Sequence, residues 1–229
     1  MNKQHPIALV TGASGAIGSA IADALEAQGA CVVRHYYANE IPGGIQADLR
    51  CEHEIEALFL QTEERFGAVD ILVNNAGIAL PQQLITETTT QAFDDLLGLD
   101  LRAVFLCCRR ALPHMVQQKY GRIVNISSVW GQSGASCEVA YSAAKAGVIG
   151  LTRALAQEAA PSAITVNCVA PGVINTPMNA HLDLVELAGQ TPVGRLGTPQ
   201  DIARAVCFFT CENAGFVTGQ VLGVDGGFL

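Results

Sequence analysis

The chain is poor in cations: 13 Lys and Arg stand against 21 Asp and Glu, a net charge of −8. Phosphate backbones and anionic lipid surfaces call for basic patches, so no nucleic acid and no membrane are expected as partners. No apolar run approaches the roughly 18 residues that span a bilayer. The opening MNKQHPIALVTG lacks the apolar core and small-residue cleavage site of a secretory signal, which reads as a cytoplasmic protein. The eight cysteines form no CxxC pair and sit mostly in apolar segments, as buried reduced thiols do. His and Cys at ligand spacing are also missing, so no metal is expected. Without internal repeats, low-complexity tracts or a Pro/Ser-rich linker, residues 1–229 read as one domain.

What is present is alternation. Half of the residues are apolar, gathered into short strand-like runs separated by helix-like ones. Strands are expected at 7–12, 30–36, 69–77, 121–128, 164–172 and 219–227. Helices are expected at 16–29, 54–67, 90–118, 139–160 and 199–211. Continuous apolar strands between helices imply a parallel sheet covered on both sides. The fold class is α/β: a single-domain, doubly wound parallel sheet of Rossmann type, with helices on both faces. Ligands in such sheets bind beyond the carboxyl ends of the strands, and Thr11-Gly12, Asn74-Asn75, Ser127-Ser128 and Pro171-Gly172 each follow a strand.

The stretch TGASGAIG (11–18) lies between the first strand and the first helix. Gly12, Gly15 and Gly18 permit a tight turn and close approach of the backbone to a ligand. The helix N-terminus behind them suits a pyrophosphate, with Ser14 and Ile17 in the same turn. A carboxylate at the end of the second strand favours NAD by holding the ribose 2′-hydroxyl. Here VVRHYYANE places Arg34 and His35 there and no acid before Glu40, so NADPH is expected over NADH.

Tyr141 and Lys145 are four residues apart and share a helix face. An ammonium stabilises a phenolate, and so brings a phenol with an ordinary pKa of about 10 towards use as a general acid–base. Ser128, at a strand end, can donate to a substrate carbonyl oxygen as that oxygen gathers charge.

With TGASGAIG, NNAG (74–77), Ser128, YSAAK (141–145), PG (171–172) and VDGG (224–227) in place, the chain resembles a short-chain dehydrogenase/reductase over essentially its whole length. The resemblance implies Tyr141 as proton donor in carbonyl reduction and Ser128 as the group orienting the carbonyl. Lys145 would lower the phenol pKa and hold the nicotinamide ribose. It implies Asn75, Ala76 and Gly77 on the adenosine side, Asp48 beside Leu49 at the adenine, and Val173, Ile174 and Thr176 after Pro171-Gly172 at the nicotinamide amide. Residues 175–197 would form a substrate lid.

Three departures stand out. Ala16 replaces a usual glycine. Asp100 replaces the asparagine that holds a relay water, adding a charge. The segment after the second strand leaves little room for a helix.

Within the family, GRIVNISS, ITVNCVAPGVINTPM and TGQVLGVDGG resemble 3-oxoacyl-carrier-protein reductases. This implies reduction of a 3-oxoacyl thioester and acyl carrier protein as a partner, with Lys119, Arg122 and Arg153 as docking candidates. The stretch SVWGQSGASCEVAYS resembles elongation factor P 5-aminopentanone reductases instead, with elongation factor P as partner. In that reading Glu138 and Trp130 line the substrate pocket and the carboxylate attracts an amine, although Glu138 can equally answer the helix dipole. A non-catalytic dinucleotide sensor would need a degraded catalytic set, whereas Ser128, Tyr141 and Lys145 are all present. The family also implies a homotetramer.

Overall fold

Short apolar runs bounded by glycine and proline become the strands of a single sheet. The computed structural model describes residues 5–179 and 183–229. The chain begins with β1 (Ile7–Val10), α1 (Ala16–Ala27), β2 (Cys31–Tyr36), β3 (Ile45–Gln46), α2 (Glu52–Arg65) and β4 (Ile71–Asn74). Next come α3 (Thr90–Leu97), a π-helical turn at Gly98–Arg102, α4 (Ala103–Gln118), β5 (Gly121–Ile126) and the single turn α5 (Trp130–Ser133). The chain then runs through α6 (Val139–Ala159), β6 (Ile164–Pro171), α7 (Leu184–Gln190), α8 (Pro199–Thr210) and β7 (Val221–Val224).

The strands pair in parallel in the order β3-β2-β1-β4-β5-β6-β7. The order reverses between β1 and β4, which opens a crevice at their carboxyl ends. Side chains alternate across the sheet. Leu9, Leu72, Ile123 and Val166 pack with Phe59 of α2, Met115 of α4 and Val148 of α6. Ala8, Val10, Val73 and Val124 turn the other way, against Ile21 and Leu25 of α1 and Ile202 and Phe209 of α8. Both faces are thus covered, and the strands read as mainly apolar runs for that reason.

Local chemistry sets the helix ends. The Thr89 hydroxyl accepts from the Ala92 amide to start α3. Thr198 and Asp201 form a reciprocal capping box around Pro199 at the start of α8. Three features differ from the sequence expectation. The expected helix over 90–118 is broken by the π turn, which packs against α6 and carries Asp100 inward. The one-turn α5 follows Ser128, in a stretch given no element from the sequence. The expected lid contains α7, and its residues 180–182 lie outside the described residues. The segment from β2 to β3 runs without a helix. Among the described residues, no helix is long and apolar enough to cross a membrane.

Polar side chains also cross the sheet. Asn74 donates to the Asn125 carbonyl oxygen at 2.8 Å, and Asn125 donates to the Thr152 hydroxyl at 2.9 Å. Asn125 is fully buried, so its removal leaves polar partners without replacement by water. Asn125→Ala is expected to lower stability by about 1–3 kcal/mol, read as a lower urea midpoint with an unchanged slope.

Candidate active site

The glycine turn after β1 is held from three sides. The Thr11 hydroxyl accepts from the amides of Asn75 and Ala76 at 2.9 and 3.0 Å. The Asn75 side-chain amide donates to the carbonyls of Thr11 and Gly12 at 3.0 and 3.2 Å. The Gly12 amide donates to His35 Nδ1 at 3.0 Å, and His35 Nε2 meets the Ala47 carbonyl, also at 3.0 Å. These partners require a neutral imidazole with its proton on Nε2. Gly18 packs so tightly under the turn that a Cβ would collide with the Gly12 carbonyl and sit 2.9 Å from Ala13 Cα. The following helix starts at Gly15 with no side-chain cap and no acid in its first turn. Ser14 and Gly15 are exposed.

The second cluster lies at the carboxyl ends of β4 and β5. Ser128 is buried, and its Oγ accepts from the Trp130 amide at 3.2 Å. Its hydroxyl is near enough to the Tyr141 phenol to favour the phenolate. Lys145 is 5% exposed, and its Nζ sits 5.4 Å from the centre of the Tyr141 ring and 3.4 Å from the Ile126 carbonyl. The neighbouring Ser127 hydroxyl donates to the Lys145 carbonyl at 2.8 Å, tying α6 to the end of β5. Asp100 is fully buried: Oδ1 accepts from the Ile78 amide at 2.9 Å, and Oδ2 lies 3.0 Å from Nζ. Burial alone would depress the Lys145 ammonium, but Asp100 and Tyr141 outweigh it and its pKa is raised. A side chain at Gly77 would strike this pair, since a Cβ there is 2.8 Å from Asp100 Oδ2 and 3.2 Å from Nζ.

The electrostatics correct one expectation. The phenol of Tyr141 lies above, not below, its ordinary value. Burial is the largest cause, Asp100 and Glu138 add to it, and Lys145 and Ser128 oppose it.

A serine, a phenol and an ammonium converge beside a glycine turn, at the crevice of a doubly wound sheet. Residues 12–229 match a family model described as enoyl-(acyl carrier protein) reductase. The chain is 38% identical over 241 residues to a 3-oxoacyl-(acyl-carrier-protein) reductase of Vibrio cholerae, spanning 99% of this chain and 98% of that protein. The chain belongs to the short-chain dehydrogenase/reductase family. It is also 40% identical over 248 residues to a (2S)-((R)-hydroxy(phenyl)methyl)succinyl-CoA dehydrogenase subunit of Thauera aromatica, with 99% and 98% covered. A crystal structure from Agrobacterium tumefaciens, described as a candidate gluconate dehydrogenase, matches with a TM-score of 0.92 at 31% identity, over 97% of this chain and 95% of that one. Membership makes the protein an NAD(P)H-dependent oxidoreductase acting between carbonyl and alcohol.

The residues fit a nicotinamide dinucleotide. The N-terminus of α1 has no capping side chain and no acid in its first turn, as a diphosphate requires, and a Cβ on Gly15 would meet only the Gly12 carbonyl, at 3.5 Å. Several residues expected to touch the nucleotide are engaged within the protein. Arg34 is no free cation: it donates to Asp23 and Glu26 of α1 at 2.8 and 2.9 Å. His35 is neutral and buried beneath the turn, and burial lowers its pKa. Asp48 is held by Arg50, which lowers its pKa and also reaches the Tyr37 hydroxyl at 3.2 Å. Leu49 is buried, and Ile174 packs in the core with α8. Gly172 lies against Asp225, with its amide donating to Val224. Val173 and Thr176 stay half-buried after Pro171.

Around the mouth, Trp130 meets Phe228 edge-on at 5.5 Å, a contact the sequence did not suggest. Glu138 precedes α6 and accepts from Gln82 at 3.0 Å. Of the three expected docking cations, Lys119 and Arg153 are exposed and Arg122 is not. Arg122 is buried at the amino end of β5 over the Tyr120 ring, at 4.7 Å. Lys119 ends α4 at that same edge. Arg153 lies three turns down α6 from Tyr141, about 18 Å along its axis.

Two outcomes follow. Arg34→Ala should leave the NADPH/NADH ratio of kcat/KM unchanged, with a stability loss within about 1 kcal/mol. His35 has a folded pKa below its unfolded value of about 6.5, so its contribution to stability is full above that pH and declines as pH falls towards the folded value. Thermal midpoints should therefore drop on acidification below about pH 6.5, and His35→Asn should flatten that part of the profile.

Proposed function

We propose that the protein reduces the ketone of a 3-oxoacyl thioester to the 3-hydroxyacyl form, with NADPH as hydride source. The observation carrying this reading is the convergence of the Ser128 hydroxyl and the Lys145 ammonium on the Tyr141 phenol, next to the acid-free helix N-terminus of α1. The curated relatives that act on 3-oxoacyl groups support the substrate class. NADPH rests on the lack of a carboxylate in Tyr36-Tyr37-Ala38-Asn39 at the end of β2, not on Arg34.

Gly12, Ser14, Gly15 and Ile17, with Asn75, Ala76 and Gly77, would hold the nucleotide, which would supply hydride to the carbonyl carbon. Ser128 orients the carbonyl oxygen by donating to it. Tyr141 gives its phenolic proton to that oxygen as negative charge gathers there. Lys145 stabilises the phenolate left behind until the proton is replaced. Val173 and Thr176, half-buried after Pro171, line the nicotinamide end of the groove. Acyl carrier protein is the thioester carrier in this reading; Arg122 is buried, which leaves the exposed Lys119 and Arg153 as its docking candidates. The assembly is a homotetramer, supported by exposed Phe105 on α4, Phe208 on α8 and Leu222 on β7.

One observation favours a second substrate. Glu138 lies close enough to raise the Tyr141 phenol and accepts a hydrogen bond from Gln82. A carboxylate there attracts an amine and repels an acidic arm, as suits an amino ketone carried on a lysine of elongation factor P.

The test follows NADPH absorbance with acetoacetyl thioester and with an amino ketone. The thioester is expected to be reduced, and Tyr141→Phe to lower kcat about 10²–10⁴-fold while NADPH binding persists. Turnover of the amino ketone alone, lost in Glu138→Gln, selects the second substrate. NADPH binding without turnover of either ketone overturns the reductase reading.

A further inference from the structure

We propose that Asp100 is a positioning residue that shares the Lys145 ammonium with Tyr141, holds the phenol in its proton-carrying form and so biases the site towards carbonyl reduction. This rests on the proton-donor role just proposed for Tyr141.

The geometry is asymmetric. Asp100 Oδ2 stands 3.0 Å from Nζ, whereas the centre of the phenol ring stands 5.4 Å away. The carboxylate cannot swing off: Oδ1 is held by the Ile78 amide at 2.9 Å, and the π turn at Gly98–Arg102 presents the side chain from a fully buried position. No well-directed hydrogen bond satisfies Oδ2 among the described residues, so its partnership with Nζ is chiefly one of charge. At the phenol oxygen, the field of an ammonium with a carboxylate 3.0 Å behind it is largely that of a neutral pair. An uncharged side chain at position 100 would leave the ammonium unopposed.

The other groups facing this pair do not restore the positive field. Glu138, at the start of α6, adds negative charge, and the Ser128 hydroxyl is neutral. Cys168 on β6 is a thiol whose pKa burial pushes up to about 11, so it too is neutral. The phenol accordingly sits above its ordinary value, with burial the first cause and Asp100 adding to it. In the reductive direction the carbonyl carbon gains a hydride and its oxygen gains the Tyr141 proton. This leaves an alcohol and a phenolate that takes its next proton from solvent. A protonated phenol is ready for that step at neutral pH. Alcohol oxidation needs the phenolate, and is therefore deferred to alkaline pH.

The experiment separates charge from scaffolding. Asp100→Asn keeps an oxygen for the Ile78 amide and removes the charge. Tyrosine labelled with ¹³C at the ring carbon bearing the hydroxyl is titrated by NMR in the nucleotide-free protein, from neutral to about pH 11, with Tyr141→Phe assigning the signal. The ionisation constant of Tyr141 should rise at least about tenfold in Asp100→Asn, a downward shift of about one pKa unit. The pH profile of alcohol oxidation should move to lower pH by the same amount. An unchanged Tyr141 titration in a folded Asp100→Asn protein overturns the proposal and leaves Asp100 as scaffold. If that variant does not fold, Asp100→Ser decides by the same reading. Absence of turnover on every ketone would instead strike the reductase reading, because the titration needs neither nucleotide nor substrate.

Discussion

An ammonium taken out of water must be met by opposite charge, since desolvating an ion in a protein interior still costs several kcal/mol after relaxation. Lys145 lies at 5% exposure, and much of the site follows from that requirement. Its counter-charge is Asp100, which belongs to no neighbouring strand and has to be brought in by a π turn between α3 and α4. The carboxylate in turn needs a second donor, found in the Ile78 amide, and a chain with no side chain at Gly77. One buried cation thus ties together α6, the break before α4 and the loop leaving β4. The phenol it serves lies at the same crossing.

The nucleotide end of the crevice is built on a different economy of contacts. Its polar groups are nearly all spent on one another before any ligand arrives. Thr11, Asn75 and His35 clamp the glycine turn, and the amides at the start of α1 are left without a capping side chain or a competing acid. A clamped turn ahead of an uncapped helix start suits an anion, even on a chain whose net charge is −8. Local backbone dipoles, not net charge, decide what binds there.

The legible parts of the sequence were those with a short-range cause. Largely apolar runs marked β1, β2, β4, β5 and β6 to within a few residues, because burial on both faces leaves few polar positions in them. Tyr141 and Lys145 could be paired from spacing alone, because helix geometry places fourth neighbours together. The two-residue β3 was not legible, since it is a strand only by virtue of β2 beside it. Nor was the break at Gly98–Arg102, where GLDLR has the apolar spacing of an ordinary helix. Arg34 and His35 look like cations at a strand end. Their fates depend on Asp23 and Glu26 of a packed helix and on the Gly12 amide.

The alternation of strands and helices, the glycine turn and the Ser128, Tyr141 and Lys145 set are written in the sequence, because each rests on a repeat or spacing of a few residues. Which charges meet which was decided only by tertiary packing. Asp100 joins a lysine 45 positions away, Arg34 of β2 pairs with Asp23 and Glu26 of α1, and Arg122 is buried at the opposite edge. Coulomb energy depends on distance in space and on access to water, and neither can be read from separation along the chain.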